Sequence, residues 1–199
     1  MYRGNGSQSH TITNGIDLAG EGGLVWIKGR TVTESHRWQN TVTGITKSLT
    51  SDSTNAETTD TQRVKSVSST GFVLGDSGSV NDNNQDYVSW TFRKCPGFFD
   101  VVDYSGNGTA GREISHSLGS TPGMVIVKNK SAGSSNWTVW HTTYGDNNRL
   151  YLNSDSAGSG NQTNHIRTAS STTFTVGNDY DVNHSSHTYV ADVIDGPGS

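Results

Sequence analysis

One pattern is stated twice along this chain, and that repetition limits the folds open to it. Gly23–Lys28 reads GLVWIK and Gly123–Lys128 reads GMVIVK, an offset of 100 residues. The flanks agree at nearly the same spacing. Tyr2-Arg3-Gly4-Asn5-Gly6-Ser7 returns as Tyr104-Ser105-Gly106-Asn107-Gly108-Thr109, and Phe72/Phe174, Gly75/Gly177, Val80/Val182 and Tyr87-Val88/Tyr189-Val190 recur at an offset of 102. A tandem duplication requires each half to be a structural unit with its own apolar face to bury. It also supplies an internal comparison, because a group the shared scaffold requires occurs in both halves, whereas a group present once is particular to its copy.

The composition selects the class of unit. Of 199 residues only 30% are hydrophobic and 16% charged, with 24 Gly, 3 Pro and 5 Trp, and the polar remainder is dominated by Ser, Thr and Asn. Such a chain is poor in helix formers and rich in turn residues and β-formers. GLVWIK and GMVIVK are short apolar runs bounded by turns, and similar short runs follow at close intervals, including Gly71–Leu74, Tyr87–Phe92, Thr173–Val176 and Tyr189–Ile194. The pattern predicts an all-β protein of two tandem antiparallel β-sandwich units of jelly-roll type, residues 1–96 and 97–199, joined at Cys95-Pro96-Gly97. Thr54–Arg63 is the one stretch expected to hold a short helical turn. A strand over Phe98–Tyr104 opens the second unit, and its counterpart would lie ahead of Met1, so either another segment, such as the chain's own C-terminal one, is expected to fill the gap or the first sheet carries an open edge of the kind other subunits pair with.

Charge and cysteine content exclude several functions. A net charge of −4 with scattered Lys and Arg argues against nucleic acid as a partner. The single Cys95 excludes an internal disulfide and a four-cysteine zinc site. No apolar run reaches the length of a membrane span and no leader pattern is visible, so neither membrane insertion nor classical secretion is expected.

The motifs with chemical potential each have a plainer reading. Gly75-Asp76-Ser77-Gly78 matches the string around a serine-protease nucleophile, but the second copy reads Gly177-Asn178-Asp179-Tyr180, which points to a turn. His184-x-x-His187 near Asp179 and Asp181 has metal-ligand chemistry, yet the first copy carries Asp82 and Gln85 there, and a solvated loop is the expectation. Asp52 and Asp155 recur inside Ser-Asp-Ser turns without a second recurring acid, so the facing carboxylates of a glycoside hydrolase are not indicated. No cofactor, metal site or catalytic activity is expected. Tryptophan remains. Trp26 reads as core, while Trp38 beside His36 and Arg37, and Trp137 with Trp140 beside His141, lie on a less apolar strand shared by both copies. Exposed indoles among polar side chains stack on sugars, so Trp38, Trp137 and Trp140, with Tyr144 in the adjoining loop, are the expected glycan or receptor contacts. Trp90 is replaced by Asp192 at the matching position, so that face is expected to meet solvent or a partner in at least one copy.

Together, the two Tyr-x-Gly-Asn-Gly-Ser/Thr segments, Gly23–Lys28 with Arg30, His36–Gly44 followed by Lys47–Asp52, Gly71–Gly75 and Tyr87–Phe92 resemble β-rich tandem-repeat domains of marine tailed phages, cyanophages especially. The resemblance spans nearly the whole chain and departs from that family's Tyr-Val-Ala-Trp closing pattern at Asp192. It implies a non-catalytic structural protein of the virion, in a tail, fibre or surface-decoration position with a possible host-adhesion role. It further implies other virion subunits as partners, a homo-oligomeric form and a host surface glycan as a possible ligand. A stand-alone carbohydrate-binding module is the alternative.

Overall fold

A computed structural model describes residues 1–146, 148–156, 158, 160 and 163–196. The chain divides into two compact units, Met1–Asp52 with Glu57–Lys94, and Cys95–Ser199 with Ser53–Ala56. The division differs from a simple cut at the proline: Cys95 and Pro96 group with the second unit, and so does the short segment Ser53–Ala56.

In the first unit a six-stranded antiparallel sheet runs in the order β1 (Tyr2–Arg3), β9 (Asp86–Arg93), β3 (Gly23–Gly29), β4 (Arg37–Asn40), β5 (Lys47–Thr50), β6 (Thr58–Thr59). A three-stranded sheet, β2 (His10–Thr13), β8 (Gly71–Leu74), β7 (Val64–Ser68), completes it, with one helical turn, α1 (Gly78–Asn81), ahead of β9. Side chains alternate across a strand, so Val25 and Ile27 of β3 enter the core with Leu18, Val64, Phe72, Leu74, Val80 and Tyr87, while Trp26 and Lys28 occupy the other face. The helical turn expected in Thr54–Arg63 is not formed. Thr58 and Thr59 instead pair with Ser48 and Lys47 as β6, where β-branched side chains are favoured.

The second unit repeats the plan. Its larger sheet is β10 (Phe99–Ser105), β17 (Thr188–Asp195), β12 (Pro122–Asn129), β13 (Trp137–His141), β14 (Leu150–Tyr151), and its smaller sheet is β11 (Arg112–Ser115), β16 (Thr173–Val176), β15 (Ile166–Ala169). Val125, Val127, Trp140, Ile166, Phe174, Val176, Val182, Tyr189 and Val193 fill the space between them. The protein is thus all-β, and each unit is a two-sheet antiparallel sandwich.

What joins the first turn of each unit to the loop before its last strand is a buried amide. Asn81 Oδ1 accepts from Asn5 N at 3.0 Å, and its Nδ2 donates to Ser7 O at 3.0 Å and Gly75 O at 2.8 Å. Asn183 makes the same bonds to Asn107 N at 3.0 Å, Thr109 O at 2.9 Å and Gly177 O at 2.9 Å. Two tyrosines close each knot. Tyr2 donates to Val80 O and stacks on Tyr87 at 5.4 Å; Tyr104 donates to Val182 O and stacks on Tyr189 at 5.2 Å. The glycine two residues after each first tyrosine is required by contact, since a Cβ on Gly4 or Gly106 would lie 2.1 Å from the carbonyl oxygen of Asp82 or His184. One residue differs, because the free lone pair of Asn81 Oδ1 is met by His10 Nδ1 at 2.7 Å and that of Asn183 by Arg112 Nη1 at 3.2 Å.

An asparagine so enclosed cannot be truncated without leaving main-chain groups unpaired. Asn81→Ala and Asn183→Ala are each expected to lower stability by about 2–4 kcal/mol, read from the urea midpoint. The corresponding Asp variants, which turn an oxygen toward the two main-chain carbonyls and toward Asn5 Oδ1 or Asn107 Oδ1, should lose at least as much.

Candidate functional site on the first unit

The structure corrects the expectation that the indoles of β4 and β13 reach solvent. Trp38 is 3% exposed, Trp137 is 0% and Trp140 is 4%, and of the expected contacts only Tyr144, at 56%, presents its ring. The reasons differ because the three rings do not share a face. Trp140 stands opposite Val125 and enters the core of the second unit. Trp137 stands opposite Lys128 on the other face, and its strand is tied down by polar groups: Trp137 N donates to Asn153 Oδ1 at 2.7 Å, Asn153 Nδ2 to Asn136 Oδ1 at 3.1 Å, and Asn136 N to Asp181 Oδ1 at 3.0 Å. Trp38 is flanked across the sheet by Trp26 and Leu49. Tyr144 lies apart from them on the turn after β13, where its N–H donates to His141 O.

Two other motifs also resolve. Ser77 begins α1, its carbonyl accepting from Val80 N and Asn81 N and its hydroxyl lying 3.0 Å from that of Ser79, so the Gly-Asp-Ser-Gly string starts a helical turn. His184 and His187 pack with Tyr180 at ring separations of 4.9–5.8 Å. Among the described residues no group of three metal-ligating side chains forms.

The aromatic feature particular to one copy lies elsewhere. Trp38, Trp26 and Trp90 are direct cross-strand neighbours on β4, β3 and β9, with ring separations of 4.8 and 5.0 Å and tilts of 49° and 41°. Cross-strand aromatic pairs of this kind stabilise a sheet and hold one another in place. Trp26 Nε1 donates to Ser51 Oγ at 3.0 Å, which fixes the central ring. The row grades from buried to open: Trp38 is enclosed, Trp26 half-buried, and Trp90 is 43% exposed. In the second unit the same register line reads Val139, Ile126, Asp192, and Asp192 is 1% exposed. The scaffold therefore does not demand the indoles. The sequence signal for this row was the loss of both Trp26 and Trp90 from the second copy; assigning Trp26 to the core obscured it.

The electrostatics of the second unit center on Lys128. Its Nζ donates to Ser135 O at 2.9 Å and to Thr54 O at 3.2 Å, the latter in the segment that groups with this unit, and burial lowers its pKa to about 8 against an opposing pull from Asp181. The knot tyrosines shift the other way, since burial raises Tyr2, Tyr87 and Tyr104 and pushes Tyr189 up to about 12.

A family described as "Domain of unknown function (DUF7483)" matches residues 1–195. The chain belongs to that family. Because the match covers both units, the family is defined by the duplicated pair and not by one sandwich. Neither the curated proteins nor the solved structures contain a significant match.

Two measurements check these assignments. Trp90→Ala should change stability by less than about 1 kcal/mol, whereas Trp38→Ala, Trp137→Ala and Trp140→Ala should each cost about 3–5 kcal/mol. For Lys128 the unfolded chain binds the extra proton between its folded value of about 8 and the ordinary 10.5, so stability rises with pH across that window and is lowest below it. The raised tyrosines act oppositely, favouring the fold below their ordinary value near 10 and withdrawing that stability above it. Urea unfolding should therefore show a gain from pH 8 toward 10 that Lys128→Met abolishes, then a loss at higher pH in both proteins.

Proposed function

We propose that the protein is a non-catalytic structural and adhesion module, of the kind borne on a tailed-phage virion in a tail, fibre or surface-decoration position. What carries the adhesive part of the reading is Trp90, an exposed indole packed on Trp26, which is in turn packed on Trp38, in a unit whose twin lacks all three. A ring with one open face and a fixed orientation suits stacking on a sugar or on an apolar receptor group. The structural part rests on the resemblance stated above and on the duplicated scaffold, whose recurrent polar side chains are engaged in holding the fold. Asp52, for example, accepts from His36 N at 3.1 Å. The same indole also favours the second reading, a carbohydrate-binding module working outside any particle.

The test has two parts. Mass spectrometry and immunogold labelling of purified particles should find the protein at the particle surface. The isolated chain should bind host cells or one surface polysaccharide, and Trp90→Ala should weaken that binding about tenfold, the scale expected for a lost aromatic stack. Specific polysaccharide binding by a protein absent from particles would favour the carbohydrate-binding module, and binding unaffected at Trp90 would remove the site from either reading.

A further inference from the structure

Cations gather beside the open indole of the first unit. Side chains alternate along β9, so Asp86, Val88 and Trp90 share one face of the sheet. The register sets Trp26 opposite Trp90 and Lys28 opposite Val88, which makes Lys28 the diagonal neighbour of Trp90. Diagonal neighbours on one face are within reach of an aromatic ring and a long side chain. One step further along, Arg3 of β1 lies opposite Asp86, and Arg30 N donates to Asp86 O at 2.7 Å, continuing the register. Arg3, Lys28 and Arg30 thus border one end of the face that carries Trp90, with Asp86 among them.

These charges are not neutralised within the fold. Lys28 Nζ donates to the carbonyl of Glu34 at 2.7 Å, and Arg30 Nη1 to the thioether of Met1 at 3.2 Å. Among the described residues no ion pair forms at Arg3, Lys28 or Arg30. Two further carboxylates of this end are engaged, Glu34 with Arg37 at 3.5 Å and Asp52 with His36 N at 3.1 Å. The second unit is the control. At its matching positions Ser105 stands opposite Thr188, Lys128 is fully buried, Lys130 is ion-paired with Asp103 at 2.5 Å, and Asp192 replaces the indole. The open indole and the free cations therefore occur together in one copy and are missing together from the other.

We propose that this corner of the first unit binds an acidic polysaccharide built of hexuronate sugars. One ring stacks on Trp90, Lys28 and Arg30 hold a carboxylate of that ring or its neighbour, and Arg3 meets the next along the polymer. The inference rests on the adhesive reading of Trp90 and names the class of sugar. An indole by itself does not separate neutral from charged glycans, since it contacts the C–H face of either. The cations make that distinction: a guanidinium takes a carboxylate through two parallel N–H bonds, and lysine adds a point charge. Asp86 limits the charge density that the corner accepts. One carboxylate per sugar suits three cations around one acid, whereas a densely sulfated chain would press its charge on Asp86. A nucleic acid strand meets the same repulsion, on a protein whose net charge is −4.

The probes are polygalacturonate and alginate, each also in its methyl-esterified, uncharged form, titrated into the intact protein and followed by calorimetry and tryptophan fluorescence. At least one uronate polymer should bind, about tenfold or more tightly than its ester, and Trp90→Ala should remove the fluorescence change. Lys28→Gln, which keeps a donor for Glu34 O, and Arg30→Gln should each weaken binding about two- to fivefold, and the triple variant with Arg3→Gln about tenfold or more. Lys65→Gln, which removes a charge from β7 of the smaller sheet, should leave binding unchanged. Raising salt from about 50 to about 500 mM should weaken the unaltered protein by a similar factor and the triple variant far less. Binding of neither uronate, equal affinity for acid and ester, or tighter binding of dextran sulfate or a single-stranded oligonucleotide overturns the proposal. Binding of a neutral polysaccharide that needs Trp90 and not the cations overturns it while leaving the adhesive reading intact. Binding indifferent to Trp90 overturns both.

Discussion

The duplicated sandwich depends on an asparagine that each unit buries. Antiparallel strands far apart in sequence must be brought together before their pairing is rewarded, and the entropy of closing such long loops falls on the contacts that join the ends. In each unit Asn81 or Asn183 makes that junction, joining the opening Tyr-x-Gly-Asn-Gly turn to the loop before the last strand across some 75 residues of chain. The amide suits the position because it donates and accepts at once: its Nδ2 meets main-chain carbonyls from two directions while its Oδ1 receives a main-chain N–H. In a low-dielectric interior those bonds are strong when complete, and a missing partner is correspondingly costly. The paired tyrosines shield them from water, and the raised pKa of these phenols reflects the same desolvation.

With that knot held constant, the copies are free to diverge on their sheet faces and edges. The first unit places three indoles in a row where the second has Val139, Ile126 and Asp192. The second threads Lys128 and Asp181 through a buried polar network that includes a segment borrowed from the chain between β5 and β6. Its edge is closed by a full strand, while that of the first is covered over two residues. Divergence of this sort is expected after duplication, since each substitution is tolerated as long as the junction and the alternating core positions are kept. Val25, Ile27, Val125 and Val127 are all fully buried, which shows that the core positions were kept.

Much of the architecture could be read from residue order alone, for local reasons. Apolar runs such as Gly23–Gly29 and Gly71–Leu74 form strands because their length, β-branched content and flanking turns leave little choice, and the offset between copies revealed two similar units. The recurrence of Val80 and Val182 even pointed at the right loop, one residue short of the asparagines that organise it. Those asparagines were missed because Asn is common in this chain, and a single polar recurrence does not stand out until its partners are known.

What the sequence by itself determined was the number of units, their all-β character and the inward placing of aliphatic strand residues such as Val25, Ile27, Val125 and Val127, all consequences of local preference and period. The tertiary structure decided which tryptophans meet water and which carbonyls an amide side chain reaches. Trp38, Trp137 and Trp140 are chemically as suited to a sugar as Trp90, and their surroundings bury them: a facing sheet for Trp140, a polar network for Trp137 and flanking side chains for Trp38. Exposure depends on neighbours distant in the chain, and strand order within the sheets, which selects those neighbours, is set by pairings spread over the whole unit.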